Sequence, residues 1–118
     1  MIKNKRGSIV YISSSSALDG NEGRSAYSSA KAAIIAQAKV LSRELGVHNI
    51  RVNSIAPGLT NTDMMKKNHK EEIVSEMVSR ISLRRIANPE EIANVVLLLS
   101  SDLTSYITGQ VIRADEGM

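Results

Sequence analysis

The sequence predicts an α/β fold built on a three-stranded parallel sheet with intervening helices. Two observations predict it. Three short segments rich in β-branched residues alternate along the chain with helix-forming segments, and the intervals between them are long enough to be the helical crossovers that join parallel strands. Hydrophobic residues make up 42% of the 118 residues, which is ordinary for a packed core. At this length we expect residues 1–118 to form one domain or less.

The strand predictions rest on short apolar runs bounded by turn residues. Ser8 to Ser13 (SIVYIS) is almost continuously apolar, which favours a strand buried on both faces. Ile50 to Ala56 (IRVNSIA) is the second strand and ends at Pro57-Gly58. Gly109 to Ala114 (GQVIRA) is the third, and we expect Tyr106 to pack near it.

The longest helix is predicted over Ser25 to Leu45, after a Ser- and Gly-rich loop from Ser14 to Arg24. Alanine is abundant in this helix, no Gly or Pro interrupts it, and Gly46 stands where a left-handed residue commonly ends a helix. Its apolar residues recur at steps of three and four and form one stripe: Tyr27, Ala30, Ile34, Ala38, Leu41 and Leu45.

The second half of the chain contains two further helical segments. Glu71 to Ile81 is predicted to be helical, and the polar stretch Thr60 to Lys70 before it is either a mobile loop or a short helix. Asn88-Pro89-Glu90-Glu91 starts the last helix with an Asn cap, a Pro at the first helical position and acidic residues in the first turn. We expect the Glu91 side chain to reach back to the cap.

Composition excludes several classes of function. The net charge is +3 with dispersed basic residues, and three tyrosines are the only aromatic residues, so no nucleic-acid-binding face is expected. The absence of cysteine rules out disulfides and thiolate catalysis. His48 and His69 lie 21 positions apart, are expected at the surface, and predict no metal site. No apolar run approaches the length of a membrane span and no signal peptide is recognised, so we expect no membrane partner and a cytoplasmic location.

Tyr27 and Lys31 lie four residues apart on the predicted helix, so their side chains share one face. An ammonium group beside a phenol favours the phenolate, which allows a tyrosine to give or take a proton as a general acid or base. Ser14, at the end of the first strand, could hydrogen-bond a carbonyl or hydroxyl oxygen placed between it and Tyr27. Taken alone, such a pair also arises by chance on helices, as a partly buried tyrosine and a solvated lysine.

Six short motifs stand in order along the chain: Gly7-Ser-Ile-Val-Tyr-Ile-Ser-Ser14, Tyr27-Ser-Ser-Ala-Lys31, Asn53-Ser-Ile-Ala-Pro57-Gly58, Thr62-Asp-Met64, Asn88-Pro89-Glu90-Glu91-Ile92-Ala93 and Tyr106-Ile-Thr-Gly109-Gln. Together they resemble the short-chain dehydrogenase/reductase family from about Gly7 to the end of the chain. Ser14 stands thirteen residues before Tyr27, as in that family's catalytic pair. The resemblance implies the C-terminal part of a Rossmann-type doubly wound parallel sheet.

The resemblance also implies an oxidoreductase that moves hydride between NAD or NADP and a small-molecule carbonyl or secondary alcohol. Tyr27 would be the acid/base, Lys31 would favour its phenolate and bind the nicotinamide ribose, and Ser14 would polarise the substrate oxygen. The closest likeness is to 3-oxoacyl-(acyl-carrier-protein) reductases and to sugar or polyol dehydrogenases. The four-residue spacing from Tyr27 to Lys31 argues against the enoyl reductase branch.

Other parts of the resemblance concern the segment after the second strand. The residues implied beside the nicotinamide are Pro57, Gly58, Leu59, Thr60 and Thr62, with backbone groups near Leu59 and Thr60 and the Thr62 hydroxyl holding the carboxamide. Residues 59–81 would form a substrate lid. Its apolar side chains either contact an apolar substrate or pack the lid onto the body: Met64, Met65, Ile73 and Met77.

Several family features have no counterpart here, namely the Gly-rich turn that cradles the pyrophosphate, the residue that selects NAD or NADP, the Asn-Ala-Gly stretch and an upstream catalytic Asn. We therefore expect a C-terminal catalytic half whose first strand has a bare edge, inactive by itself, with a complementing N-terminal half as a candidate partner and a homo-oligomer as the complete enzyme. Glu116 replaces a glycine of the family's Gly pair and puts a charge near an expected subunit interface. The alternative is a catalytically inactive truncated α/β module that acts only by associating with itself or another chain.

Overall fold

A computed structural model describes residues 1–118 and contains a single sheet of three strands in the order β1-β2-β3. In chain order the elements are β1 (Gly7–Ile12), α1 (Ser16–Asp19), α2 (Ser25–Leu45), β2 (Ile50–Pro57), α3 (Asp63–Asn68), α4 (Glu71–Arg80), α5 (Pro89–Ser100) and β3 (Val111–Ala114), with 3-10 turns at Gly46–His48 and Asp102–Thr104. Both strand pairs are parallel, which confirms the predicted α/β fold class. None of the helices combines the length and apolar composition needed to cross a bilayer.

The middle strand, β2, forms the core of the sheet. Ile50, Val52 and Ile55 are each 2% exposed or less, because β2 has a neighbour on each side and helices on both faces. β1 is an edge strand, as the expected bare edge predicted, but its residues are half-buried or, at Ile12, exposed rather than buried on both faces. The apolar run from Ser8 was interpreted correctly as a strand, but its burial depends on a second neighbour that this chain does not provide.

Helices cover opposite faces of the sheet. The Ser8 hydroxyl donates to the Leu99 carbonyl of α5 at 2.9 Å, and the Ser13 hydroxyl donates to the Lys31 carbonyl of α2 at 2.8 Å. Residues separated by an odd number of positions in a strand point to opposite faces. The sheet is therefore doubly wound, as predicted.

The bounds of α2 agree with the prediction, but its ending does not follow the expected mechanism. Gly46 keeps a right-handed conformation with φ of −57°, and the chain continues into a 3-10 turn. The left-handed residue that ends the turn is Asn49, whose φ is +57° and whose backbone amide donates to the Gly46 carbonyl at 2.9 Å. Asparagine tolerates the left-handed region, so the conformational freedom of Gly46 is not used.

The start of α5 is built as predicted. The Glu91 carboxylate accepts the Asn88 amide at 2.9 Å, which closes one side of a capping box. Arg85 adds two hydrogen bonds of 2.7 Å to the same carboxylate. The Arg85 guanidinium, together with the Asn88 amide, lowers the pKa of Glu91 to about 2.

Two further sequence-based assignments, both in connecting segments, were wrong. The segment from Ser14 to Arg24, expected to be loop throughout, contains the short helix α1, which Gly20 ends in a left-handed conformation with φ of +69°. Tyr106, expected to pack near the last strand, is fully exposed on the turn after α5. Both lie in short connecting segments, where packing rather than periodicity decides the conformation.

Candidate active site

The predicted site residues meet at the carboxyl edge of β1 and β2. Pairing between the two segments continues beyond the end of β1, because the Ser13 amide donates to the Ile55 carbonyl at 2.8 Å and the Ser15 amide donates to the Pro57 carbonyl at 2.9 Å. Ser14 is therefore held beside the segment that begins at Pro57. In parallel α/β sheets this edge is where ligands bind.

Ser13 and Ser14, two neighbouring serines after β1, make different contacts. Ser14 is buried, and its hydroxyl oxygen accepts the Ser16 amide at 3.2 Å, at the start of α1. No hydrogen bond joins it to Tyr27 or Lys31. The Ser13 hydroxyl donates to the backbone carbonyl of Lys31 in α2 and so fixes the end of β1 to that helix.

Tyr27 and Lys31 occupy the first two turns of α2 and lie on one face, as their spacing predicted. The Lys31 ammonium lies 5.9 Å from the centroid of the Tyr27 ring. It donates to the carbonyl of Ile12 at 3.1 Å, so it stands at the outer edge of β1. Tyr27 is 39% exposed, which leaves the ring accessible to a substrate.

Arg24 and His69 form a contact beside Tyr27 that was not predicted from the sequence. The Arg24 guanidinium lies 5.8 Å from the Tyr27 ring centroid and donates to Nε2 of His69 at 3.2 Å. His69 was expected to be a surface residue but is half-buried at the end of α3. The position of Arg24, three residues before Tyr27, was a signal that could have placed a cation near the ring.

The segment expected to lie beside the nicotinamide follows β2 directly. The Thr62 hydroxyl oxygen accepts the Met65 amide at 3.2 Å and caps α3. The Leu59 amide donates to the Glu116 carboxylate at 3.2 Å, and no hydrogen bond from the Thr60 amide is formed within the chain. Two of the expected donors, the Thr60 amide and the Thr62 hydroxyl hydrogen, are thus available for a ligand, whereas the Leu59 amide is occupied.

Glu116 was expected to carry a charge near a surface between subunits. In the structure it is 7% exposed and lies against the segment after β2. The pKa of the Glu116 carboxyl is raised, mainly because the group is buried and also because Asp115 is close by. The hydrogen bond from the Leu59 amide acts in the opposite direction.

The predicted lid is built from α3 and α4, neither of which contains a buried residue. Met64 is 66% exposed, and Ile73 is also exposed, so neither packs the lid onto the body. Met65 and Met77 are half-buried. An apolar surface is therefore presented on the segment that the family resemblance assigns to the substrate.

Arg113 of β3 makes a second connection that the sequence did not reveal. Its guanidinium binds both carboxylate oxygens of Asp19 at 2.9 Å and also the carboxylate of Asp115. The hydrogen bonds that Arg113 donates to the carboxylates of Asp19 and Asp115 raise the pKa of Arg113. The end of α1, and with it the segment that follows Ser14, is tied to the last strand.

Comparisons with known proteins place this geometry in a family. A family model described as enoyl-(acyl carrier protein) reductase matches residues 1–118. The 3-oxoacyl-(acyl-carrier-protein) reductases of Chlamydia trachomatis and Thermotoga maritima are 48% and 46% identical to the whole chain. A solved structure of a short-chain dehydrogenase/reductase family protein superimposes with a TM-score of 0.91 at 36% identity, over 99% of this chain and 47% of that one.

The chain belongs to the short-chain dehydrogenase/reductase family. It spans about half the length of the curated relatives it matches, 47% and 48% of the two reductases named above. A further family member of known structure is a 7α-hydroxysteroid dehydrogenase complexed with NADH and 7-oxo glycochenodeoxycholic acid. It superimposes with a TM-score of 0.96 at 38% identity and covers 99% of this chain and 46% of that one.

Proposed function

We propose that this chain is the C-terminal catalytic half of a nicotinamide-dependent oxidoreductase that interconverts a carbonyl and a secondary alcohol. The observation that carries the proposal is the cluster at the carboxyl edge of the sheet. The accessible Tyr27 ring lies 5.9 Å from the Lys31 ammonium, and Ser14 is held beside Pro57 by the strand pairing. These are the groups that proton transfer to a substrate oxygen requires.

In the proposed mechanism Tyr27 gives a proton to the carbonyl oxygen during reduction, or takes the hydroxyl proton during oxidation. Lys31 favours the phenolate through its positive charge. The Ser14 hydroxyl, whose hydrogen is donated to no group of the chain, binds the same substrate oxygen and holds it near Tyr27. The bound nicotinamide supplies or accepts the hydride.

The donors at this edge fit the nicotinamide end of NAD or NADP. Lys31 would bind the ribose hydroxyls, and the Thr60 amide and Thr62 hydroxyl would bind the carboxamide. Pro57 and Gly58 would border the ring. No Gly-rich turn for the pyrophosphate follows a strand of this chain, so we propose that the rest of the cofactor binds to an N-terminal half.

For the substrate we favour a 3-oxoacyl thioester. The curated relatives reported above carry that activity in their names, and the exposed apolar residues Met64 and Ile73 of the lid suit an acyl chain. The matching family model is described by a different reaction, the reduction of an enoyl group. The four-residue spacing of Tyr27 and Lys31 favours carbonyl reduction.

A steroid is the second candidate substrate. A 3α-hydroxysteroid dehydrogenase of Mediterraneibacter gnavus is 40% identical over 92% of this chain, and the 7α-hydroxysteroid dehydrogenase structure was solved with a 7-oxo bile acid. The same apolar lid residues suit a rigid sterol. The two candidates are distinguished by whether the enzyme turns over a 3-oxoacyl thioester or an oxo-steroid.

The non-enzymatic alternative is a truncated module that acts by association alone. The bare edge of β1 favours association, as do the exposed apolar side chains of Leu97 in α5 and Leu103 in the 3-10 turn after it. These features would serve an inactive module and a catalytic half alike. An inactive module would associate without turnover. The catalytic half would gain turnover on association, and we propose that the complete enzyme is a homo-oligomer.

The deciding experiment combines the 118-residue chain with the N-terminal half of a related reductase and follows oxidation of NADPH and NADH. We expect no turnover by either half and measurable turnover by the mixture with a 3-oxoacyl thioester. Tyr27→Phe should lower kcat by about 10²–10⁴-fold with unchanged nucleotide affinity, while the matched control Tyr106→Phe should behave as the unmodified chain. Turnover by Tyr27→Phe at the full rate would overturn the assignment, and turnover of 7-oxo bile acids alone would favour the steroid substrate.

A further inference from the structure

Glu116 connects three segments that surround the expected nicotinamide position. Its carboxylate accepts the Leu59 amide at 3.2 Å, and its backbone carbonyl accepts the Leu83 amide at 3.1 Å. Leu59 follows β2, and Leu83 follows the last helix of the lid. A single residue after β3 thus holds both ends of the lid region.

We propose that Glu116 is a positioning residue of the segment Pro57–Thr62, and that its carboxylate decides which backbone donors this segment presents to the nicotinamide. The part of the proposal that concerns nucleotide rests on the function proposed above. With the Leu59 amide held by Glu116, the carboxamide is bound by the Thr60 amide and the Thr62 hydroxyl.

The approach of Glu116 to this segment is possible only because position 58 is glycine. A Cβ atom at Gly58 would lie 2.7 Å from the Cα atom of Asp115 and would overlap the Glu116 carboxylate. Side chains do not tolerate such contacts with backbone atoms. The backbone at Gly58 and the backbone at Asp115 therefore pack directly against each other, and the Glu116 carboxylate lies between the two segments.

The backbone at Glu116 is unfavourable for a residue with a side chain. Its φ is +58°, and Gly117 follows with φ of +78°. Residues other than Gly, Asn and Asp are uncommon in this region, and they persist where the surrounding structure over-determines them. The hydrogen bonds to Leu59 and Leu83 are the contacts that hold Glu116 in this conformation.

The carboxyl group of Glu116 has no ionic partner of its own. Arg85 is engaged with Glu91, and Arg113 is engaged with Asp19 and Asp115. Oε1 is buried without a hydrogen bond, whereas Oε2 accepts the Leu59 amide. Burial raises the pKa of Glu116 and the charge of Asp115 acts in the same direction, whereas the backbone amides of Leu59 and Ala87 and the charge of Arg85 lower it; the net direction is upward. A carboxylate accepts more strongly than a neutral acid, so protonation weakens the hold on Leu59.

The test follows the Leu59 amide by NMR in the 118-residue chain as pH falls. We expect its proton resonance to titrate with a midpoint above about 4.3, the ordinary value for glutamate. Glu116→Gln keeps an acceptor oxygen and should abolish the titration while Leu59 stays protected from exchange. Glu116→Gly, which suits the left-handed backbone, should speed exchange of Leu59 about tenfold or more without changing the exchange of Val52. Glu90→Gln, at an exposed carboxylate, is the matched control and should leave Leu59 unchanged.

Titration of Leu59 that persists in Glu116→Gln, or unchanged exchange in Glu116→Gly, would overturn the proposal. Nucleotide affinity is then measured in the complemented enzyme, where Glu116→Gly should raise the Kd for NAD(P)H about tenfold and Glu116→Gln should restore it. Equal affinity in all variants would refute the effect on the cofactor. Failure of the unmodified protein to bind nucleotide counts against the proposed function alone, because the Leu59 measurement needs no nucleotide.

Discussion

Arg24 donates a hydrogen bond to Nε2 of His69 at 3.2 Å and thereby joins the end of α3, in the predicted lid, to the start of α2. A guanidinium group only donates, so Nε2 is the unprotonated nitrogen, and the hydrogen of the neutral imidazole is on Nδ1, 3.4 Å from the Met65 carbonyl. The same guanidinium lies 5.8 Å from the Tyr27 ring centroid. The position of the lid and the surroundings of Tyr27 are therefore linked through one side chain.

We predict that Arg24→Gln loosens the lid, because the shorter amide side chain cannot span to His69. Amide exchange in α3 should rise several-fold, as measured by hydrogen–deuterium exchange. Arg43→Gln, on the exposed side of α2, is the matched control and should leave α3 unchanged. Identical exchange of α3 in both variants would show that the contact does not hold the lid.

Lys31→Gln should affect both rate and nucleotide binding, unlike Tyr27→Phe. Lys31 is proposed to act on the phenol and on the ribose, so its loss should lower kcat and raise KM for NADPH, each by about tenfold or more. Steady-state kinetics of the complemented enzyme separate the two parameters. A change in KM alone would indicate that Lys31 binds nucleotide without assisting proton transfer.

Because one edge of β1 is unpaired, successive amides along β1 should alternate between fast and slow hydrogen exchange. The Ser13 and Ser15 amides point toward β2, so in a parallel ladder the amides of Ser8, Val10 and Ile12 point outward. Hydrogen exchange of the chain alone should be fast at these three positions and slow at Ile9 and Tyr11. Addition of the complementing half should slow the three outward amides; equal exchange along the strand before and after addition would contradict docking at this edge.

Glu91 should stabilise the fold in a way that depends on pH. Its folded pKa is about 2 because Arg85 and the Asn88 amide favour the carboxylate, and an unfolded glutamate titrates near about 4.3. The stabilisation is therefore fully present above about pH 5 and is lost as pH falls toward 2. Thermal melts should show Glu91→Gln a few degrees below the unmodified chain at pH 7, with the gap closing near pH 2. Glu90→Gln, which removes a carboxylate of the same turn that has no ion pair, should show no such gap.

Local patterns predicted most of the secondary structure. The bounds of α2 were predicted to the residue, β2 was predicted to within one residue, and the cap of α5 was predicted with the contact of Glu91 to Asn88. Alanine content, β-branched runs and capping residues act within a few positions, so they can be read without knowing the fold. α1 and the exposure of Tyr106 were missed because short connections lack such periodicity.

The sequence proposed which residues form the candidate site, but it did not predict several of the contacts that these residues make. The shared face of Tyr27 and Lys31 follows from helical spacing, and the proximity of Ser14 to Pro57 follows from parallel pairing of two predicted strands. The roles of Ser14, Tyr27 and Lys31 in catalysis stay predictions. The partner of the Leu59 amide and the Arg24 guanidinium near the Tyr27 ring were not predicted.

By itself the sequence determined the order of the elements, the fold class and the resemblance to the short-chain dehydrogenase/reductase family, because these depend on local composition and on motifs read in order. Only the tertiary structure decided that Glu116 holds Leu59, 57 positions away, and that Arg24 holds His69, 45 positions away. Such contacts depend on how the crossovers bring distant segments to one edge of the sheet. Side-chain chemistry alone offers each of these groups many equivalent partners, and the packing of the folded chain selects one.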